Sequence, residues 1–156
     1  MDKPANTLHT VSPHLVVAGA AEAIKFYEKA FGAREMVRLD GPDGKLMHAG
    51  LSINGATVML VDENRAHGML SPKSLGGTPI TLTLGVEDAD KAVAQAVAAG
   101  AKVVMPVADM FWGDRYGIVE DPFGHRWAVA QPQRKLTAAE LKDAAREAMC
   151  GEGASA

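Results

Sequence analysis

The sequence predicts an α+β fold of two consecutive β-α-β-β-β modules followed by a C-terminal helix. Three observations lead to this prediction. The same order of strand and helix patterns occurs twice along the 156 residues. A Gly-Ala pair, Gly32-Ala33 and then Gly100-Ala101, ends the helical pattern of each copy. A connector rich in Gly and Ser, residues 62–78, separates the copies. An internal repeat of this kind predicts a pseudo-twofold domain.

The first module begins with a strand predicted over 10–17. A helix follows over 20–31, because its apolar residues recur at helical spacing, and Gly32 stands where a left-handed helix end favours glycine. Three strands complete the module, and Asn54-Gly55 is a hairpin signal between the last two. These strands are predicted over 34–39, 45–53 and 56–61.

The second module repeats the order. A strand over 80–85 precedes a helix that Asp88 can cap and that runs to Ala99. A strand is predicted over 102–105, and two further strands over 116–120 and 125–130. The turn between these last two is Asp121-Pro122-Phe123-Gly124, in which Pro presets φ and Gly accepts a positive φ.

The last predicted strand has two different faces. Trp127 and Val129 share one face, which is suited to packing. Arg126, Ala128 and Ala130 share the other, and their small side chains predict a hollow there.

Outside the modules, residues 1–8 are short and polar, and we expect a frayed arm. Residues 132–156 form a C-terminal extension. Thr137 and Glu140 have the spacing of a capping box, which predicts a helix to about Met149. Its apolar residues predict a packing or dimer-stabilising role.

Composition excludes several classes of partner. A net charge of −3 with a pI near 5.9 gives no basic face for nucleic acid. No apolar run approaches the ~20 residues of a membrane helix, and no apolar signal core follows Met1, so we expect no membrane partner. Cys150 is the one cysteine, which excludes an intrachain disulfide and favours a reducing, cytoplasmic location.

A cluster of aromatic residues with a guanidinium precedes the final hairpin. Its members are Phe111, Trp112, Arg115 and Tyr116. Two interpretations stay open. The cluster is a hydrophobic plug with a surface ion pair, or it is a stacking wall with a fixed cation for a planar or anionic small molecule.

The duplicated unit ending in Asp121-Pro122-Phe123-Gly124-His125, with Trp127 after it, resembles the glyoxalase, bleomycin-resistance and extradiol dioxygenase (vicinal oxygen chelate) superfamily. Other elements resemble its PhnB-type branch: Phe26-Tyr27, His48, Asn54-Gly55, Phe111-Trp112 and Tyr116-Gly117. The resemblance covers residues 9–131, as modules of about 9–61 and 79–131. It implies a U-shaped mixed sheet around a small-molecule pocket.

The resemblance also implies four metal-ligand positions, on the first and fourth strands of each module. In this sequence they are Ser12, Met59, Thr81 and Ala128. None is His, Glu, Asp or Cys, the donors that divalent transition metals favour. We therefore expect no standard metal site and no cofactor.

By the same resemblance, His14 lies two positions after Ser12 and is expected on the pocket face with His48 and Met59. Arg126 is expected on the inner face of the last strand. Two roles for His14 stay open. It is a hydrogen-bonded residue of the pocket wall, or it contacts the ligand or acts as an acid or base. We expect both histidines to line one pocket with the aromatic cluster and Arg115.

The expected function is thus a small-molecule pocket without the standard metal, in a binder or in a lyase or isomerase. Two alternatives are a metal-dependent enzyme with a displaced site at His14 and His48, and a dimeric protein that sequesters a drug. A homodimer is expected because exposed sheet edges need covering.

Overall fold

The computed structural model describes residues 11–152, which form two compact units. Unit 1 comprises 11–78 with 122–124, and unit 2 comprises 79–121 with 125–152. The predicted frayed arm and the first residue of the first predicted strand lie outside the described residues. Among the described residues, no helix is long and apolar enough to cross a membrane.

Unit 1 has the predicted β-α-β-β-β order. Its elements are β1 His14–Val17, α1 Ala20–Phe31, β2 Arg34–Asp40, β3 Leu46–Ile53 and β4 Ala56–Asp62. The strands form one sheet in the order β1-β4-β3-β2. β1 runs parallel to β4, and the other pairs are antiparallel.

Two local predictions in this unit are confirmed, and one strand is shorter than predicted. The limits of α1 agree with the sequence pattern, and Gly32 closes it in the left-handed conformation with φ 65°. Asn54 and Gly55 both have positive φ, 50° and 79°, as a tight hairpin turn of this type requires. The first strand begins only at His14, because the preceding Pro13 has no N–H to donate to a neighbouring strand.

The connector after β4 contains structure that the sequence did not predict. A 3₁₀ turn occupies Arg65–His67, and a short helix, α2, spans Pro72–Leu75. Ser71 caps α2 by accepting from the N–H of Ser74.

Unit 2 repeats the architecture. It contains β5 Thr81–Gly85, α3 Ala89–Ala99, β6 Lys102–Asp109, β7 Asp114–Glu120, β8 Arg126–Pro132 and α4 Ala138–Glu152. The sheet order is β5-β8-β7-β6, which matches unit 1. Asp88 caps α3 by accepting from the N–H of Lys91, as predicted.

β6 continues beyond the predicted strand, through Pro106 to Asp109. Proline lacks the donor for a ladder hydrogen bond, so a central strand would stop there. β6 lies at the edge of its sheet, where proline is tolerated.

The two units fasten the start of their helices in the same way. The Asp62 carboxylate at the end of β4 accepts from the N–H groups of Gly19 and Ala20, both at 2.9 Å. In unit 2 the Gln131 side chain on β8 accepts from the N–H of Ala89 at 3.0 Å. A side-chain oxygen from the fourth strand thus satisfies free amide groups at each helix start.

The final hairpin turn is held by Asp121, which is 4% exposed. Its carboxylate accepts from the N–H of His125 at 3.0 Å and from the indole N–H of Trp127 at 2.9 Å. The predicted packing face is confirmed, since Trp127 and Val129 are buried. The predicted hollow is wrong at Ala128, because this residue is fully buried as well.

Helix α4 begins with the predicted capping box. The Thr137 N–H and hydroxyl both donate to Glu140, and the Glu140 N–H donates to the Thr137 hydroxyl oxygen. The helix extends to Glu152, slightly beyond the predicted end.

Candidate functional site

The clearest polar feature of the first sheet is a contact between two imidazoles, called here the histidine pair. The rings of His14 on β1 and His48 on β3 meet edge to face, with centroids 5.6 Å apart and an interplanar angle of 80°. β4 lies between their strands, so the two side chains reach towards each other across it.

Strand alternation explains why both imidazoles lie on one face. Leu15 and Val17 are buried, so the alternate residue His14 lies on the opposite face of β1. On β3, Ala49 and Leu51 are buried, which places His48 on that same opposite face. His14 also pairs in register with Met59 of β4.

The neighbours of the histidine pair on β2 are apolar and exposed. Leu39, which is 53% exposed, pairs in register with His48. Val37, 44% exposed, pairs with Gly50, two residues further along β3. The first sheet therefore combines two hydrogen-bonding rings with exposed aliphatic surface on one face.

The positions that the resemblance implies for metal ligands have the same strand register in both units, and their assignment stays a prediction. His14 pairs with Met59 in unit 1, and Thr83 pairs with Ala128 in unit 2. Ser12 and Thr81 each precede these first-strand residues by two positions. The four residues offer two hydroxyls, a thioether and a methyl group, which do not fit the nitrogen, carboxylate and thiolate donors of Zn²⁺, Ni²⁺ or Fe²⁺. Among residues 11–152 no group of three or more His, Cys, Asp or Glu is arranged to hold a metal ion.

The aromatic cluster of unit 2 forms a connected set of edge contacts. Trp112 meets Phe111 with centroids 5.1 Å apart and Tyr116 with centroids 5.3 Å apart. Its indole N–H donates to a carboxylate oxygen of Asp114 at 3.1 Å. Trp112 and Tyr116 are half-buried.

Arg115, the cation expected to serve a ligand, is engaged by two carboxylates. Its guanidinium donates to both oxygens of Asp90 on α3, at 2.6 and 3.0 Å, and to Asp109 on β6 at 3.0 Å. Arg115 and Tyr116 are consecutive on β7, so their side chains point to opposite faces. These hydrogen bonds lower the pKa of Asp90 and favour the plug-and-ion-pair interpretation for Arg115. Its role in ligand binding stays a prediction.

Arg126 is more loosely held. It is exposed, and its nearest carboxylate is Glu120 at 3.6 Å, directly opposite on β7. His125 is half-buried at the hairpin turn, and His67 is exposed on the connector. The prediction that the histidine pair, the aromatic cluster and the two arginines serve one ligand stays a prediction.

Sequence reasoning missed the partners of Arg115, because Asp90 lies 25 positions away and no local pattern joins the two. It also missed the basic segment after β8. A signal for that segment was present in the adjacent pair Arg134-Lys135, directly before the capping box of α4.

Comparisons with known proteins place this architecture in a family. The sequence matches the profile of the Glyoxalase/Bleomycin resistance protein/Dioxygenase superfamily over residues 7–129. The uncharacterized protein Mb0911c of Mycobacterium bovis is 52% identical over 142 residues, covering 89% of this chain and 93% of that protein.

Solved structures show the same fold. The Arabidopsis thaliana gene product At5g48480 superposes with a TM-score of 0.64 at 31% identity, covering 78% of this chain and 97% of that one. A PhnB protein from Bacillus cereus shares the fold with a TM-score of 0.61 at 17% identity, covering 79% of this chain and 99% of that one. The chain belongs to the Glyoxalase/Bleomycin resistance protein/Dioxygenase superfamily.

Proposed function

We propose that this protein binds a small organic molecule on the face of the first sheet that carries the histidine pair, without a metal at the family's standard positions. The observation that carries the proposal is the edge-to-face contact of His14 and His48 beside exposed aliphatic side chains. Each neutral imidazole offers one hydrogen-bond donor and one acceptor. Leu39, Val37 and Met59 supply apolar contact area next to them.

The ligand that suits this surface has an apolar or aromatic body and at least one hydrogen-bonding group. The apolar body would cover the aliphatic side chains of β2 and β4. Two adjacent imidazoles also have the means to move a proton, which a lyase or isomerase of this superfamily would need. We propose binding in preference to catalysis, because the two imidazoles and the aliphatic side chains are sufficient to bind a ligand.

Imidazole nitrogen NMR tests the proposal directly. The protein would be titrated with a fragment panel of aromatic and heteroaromatic carboxylates, amides and phenols. We expect binding fragments to shift the ring signals of His14 and His48 together, and His14→Ala and His48→Ala to weaken them. His67→Ala is the matched control, because His67 is an exposed histidine on the connector. Fragments that bind without disturbing either signal, or a panel without any binder, would contradict the proposal.

The two alternatives have their own measurements. Binding of one equivalent of Zn²⁺ or Ni²⁺ that is lost in both histidine variants would favour the displaced metal site. Two imidazoles supply two donors, whereas protein metal sites generally use three or four. Saturable binding of bleomycin would favour the drug-sequestering alternative.

The homodimer also stays a proposal. Exposed apolar residues on the edge strand β2 give it a physical motive, since such edges are generally covered. Sedimentation velocity of the full chain at micromolar concentration tests it, and a species of monomer mass alone would contradict it.

A further inference from the structure

We infer that unit 2 carries a binding site for a planar aromatic molecule with an anionic group, in a cavity between the β6–β7 loop and the segment that follows β8. The cavity has a volume of about 460 Å³, and its principal lining residues are Trp112, Asp114, Pro132, Arg134, Lys135 and Leu136. All of them belong to unit 2, so this site goes beyond the function proposed for the first sheet and does not depend on it.

One wall of the cavity is the indole of Trp112. Edge contacts from Phe111 and Tyr116 hold the ring, and Asp114 accepts its N–H. The indole N–H is already bonded within the protein, so a ligand in the cavity would meet the apolar part of the ring. Pro132 and Leu136 add apolar area. A flat aromatic ring is the group that such a wall favours.

The cationic side of the cavity is the adjacent pair Arg134 and Lys135. Both are exposed, and within residues 11–152 neither makes an ion pair within 4 Å. Glu140 lies near Arg134, but its carboxylate is occupied by Thr137, whose hydrogen bonds are the main cause of its lowered pKa. Asp114 keeps its negative charge while it accepts from Trp112, so Arg134, Lys135 and Asp114 together leave one net positive charge at the cavity. A guanidinium and an ammonium bind carboxylate or phosphate oxygens.

The two walls are fastened to each other through Gly113. Its carbonyl accepts from the N–H groups of Gln133 at 3.0 Å and Arg134 at 3.1 Å. Gly113 has φ +104°, and a Cβ there would collide with the carbonyl oxygen of Arg134. Glycine therefore permits a close approach that sets Trp112 opposite the basic segment. A site whose walls are fixed in advance loses less entropy on binding.

The cavity is a shallow depression that is largely open to solvent, and its volume lies within the ~300–1,000 Å³ of small-molecule sites, so it suits one or two fused rings with a single anionic substituent. The anionic group could be a carboxylate or a phosphate, and the experiment separates the two. Three probes share one ring: 1-naphthoate, 1-naphthyl phosphate and the neutral 1-naphthylmethanol.

The chain has two tryptophans, so a proton–nitrogen correlation spectrum of the full protein has two indole signals. Trp112→Phe assigns them by removing one. We expect an anionic probe to shift the Trp112 signal saturably and to leave that of the buried Trp127 in place. We also expect an anionic probe to bind at least about tenfold more tightly than 1-naphthylmethanol, the scale of one charge-assisted hydrogen bond. Tighter binding of 1-naphthoate would identify a carboxylate ligand, and tighter binding of 1-naphthyl phosphate would identify a phosphate ligand.

The double variant Arg134→Gln/Lys135→Gln should reduce anion binding to the level of the neutral probe. Lys142→Gln/Arg146→Gln is the matched control, because it removes the same charge from exposed positions of α4 outside the cavity. If the double variant does not fold, Lys135→Gln alone should still weaken the anions. Equal affinity for neutral and anionic probes, unchanged binding in the cavity variants, or no shift of the Trp112 signal at millimolar probe would overturn the inference.

Discussion

Arg115 and Asp90 form a two-pronged ion pair that joins β7 to the first turn of α3. The Arg115 Nε donates to one carboxylate oxygen at 2.6 Å, and a terminal nitrogen donates to the other at 3.0 Å. Paired parallel hydrogen bonds of this type fix orientation as well as distance. The guanidinium thus orients the helix start relative to the strand.

Arg115→Ala should therefore lower the melting temperature of the protein, and 1 M NaCl should reduce the difference, because salt screens partly exposed ion pairs. The control is Arg126→Ala, whose carboxylate partner lies at 3.6 Å in a single contact. Thermal unfolding at two salt concentrations measures both effects. An equal loss of stability in the two variants would contradict a special role for the pair with Asp90.

Gly113→Ala should destabilise the protein by more than about 2 kcal/mol. A left-handed backbone alone costs an L-residue about 1–2 kcal/mol, and the new Cβ would also collide with the Arg134 carbonyl. Gly55→Ala is the matched control, since Gly55 has φ +79° with no atom near its Cβ position. Urea unfolding should give the smaller loss for Gly55→Ala. Equal losses would show that backbone strain alone accounts for both.

Asp62→Ala should cost about 1–3 kcal/mol of unfolding free energy, the usual penalty for leaving polar groups without partners. The lost carboxylate serves the N–H groups of Gly19 and Ala20 and, at 2.8 Å, that of Leu46. Asp62→Asn keeps one carbonyl oxygen and should recover part of the loss. Denaturant midpoints measure the series, and identical midpoints for the two variants would contradict the hydrogen-bond account.

Glu63 gives the protein a pH-dependent element. Hydrogen bonds from the hydroxyls of Ser71 and Ser74 and from the Ser71 N–H lower the pKa of Glu63 from 4.5 to about 2. A lowered pKa stabilises the folded state above the unfolded value, and this contribution disappears as pH falls through the folded value.

Glu63→Gln should therefore lower the melting temperature at pH 7, and the difference from the parent chain should shrink between about pH 4.5 and pH 2. Glu87→Gln, which removes one carboxylate from an exposed position before α3, is the matched control. A difference that stays constant down to pH 2 would contradict the role assigned to the Ser71 and Ser74 hydrogen bonds.

Local signals predicted most of the fold correctly. Each correct local prediction depends on residues that are close together in the sequence. Examples are the helical spacing of α1, its closing Gly32, the Asn54-Gly55 turn and the Thr137–Glu140 capping box. For that reason the sequence pattern alone places them. The repeat of β-α-β-β-β was visible for the same reason, because each copy carries its own local signals.

The predicted strand limits were wrong where the position of a strand within its sheet determines how far the strand extends. β1 is short because Pro13 cannot donate, whereas β6 passes through Pro106 because it lies at an edge. Edge position is a property of the sheet and is absent from the local sequence. The predicted hollow beside Ala128 failed similarly, since its burial depends on what packs against it.

By itself the sequence determined the two-module fold, because residue type and spacing carry that information. The four positions where the resemblance implies metal ligands carry Ser, Met, Thr and Ala in the sequence. Only the tertiary structure decided which side chains meet. In the folded chain the ring of His14 contacts that of His48 across β4, and Arg115 donates hydrogen bonds to Asp90. Trp112 and Arg134 line the same cavity. These contacts join residues distant in sequence, so they exist only after strand register and sheet order have been fixed.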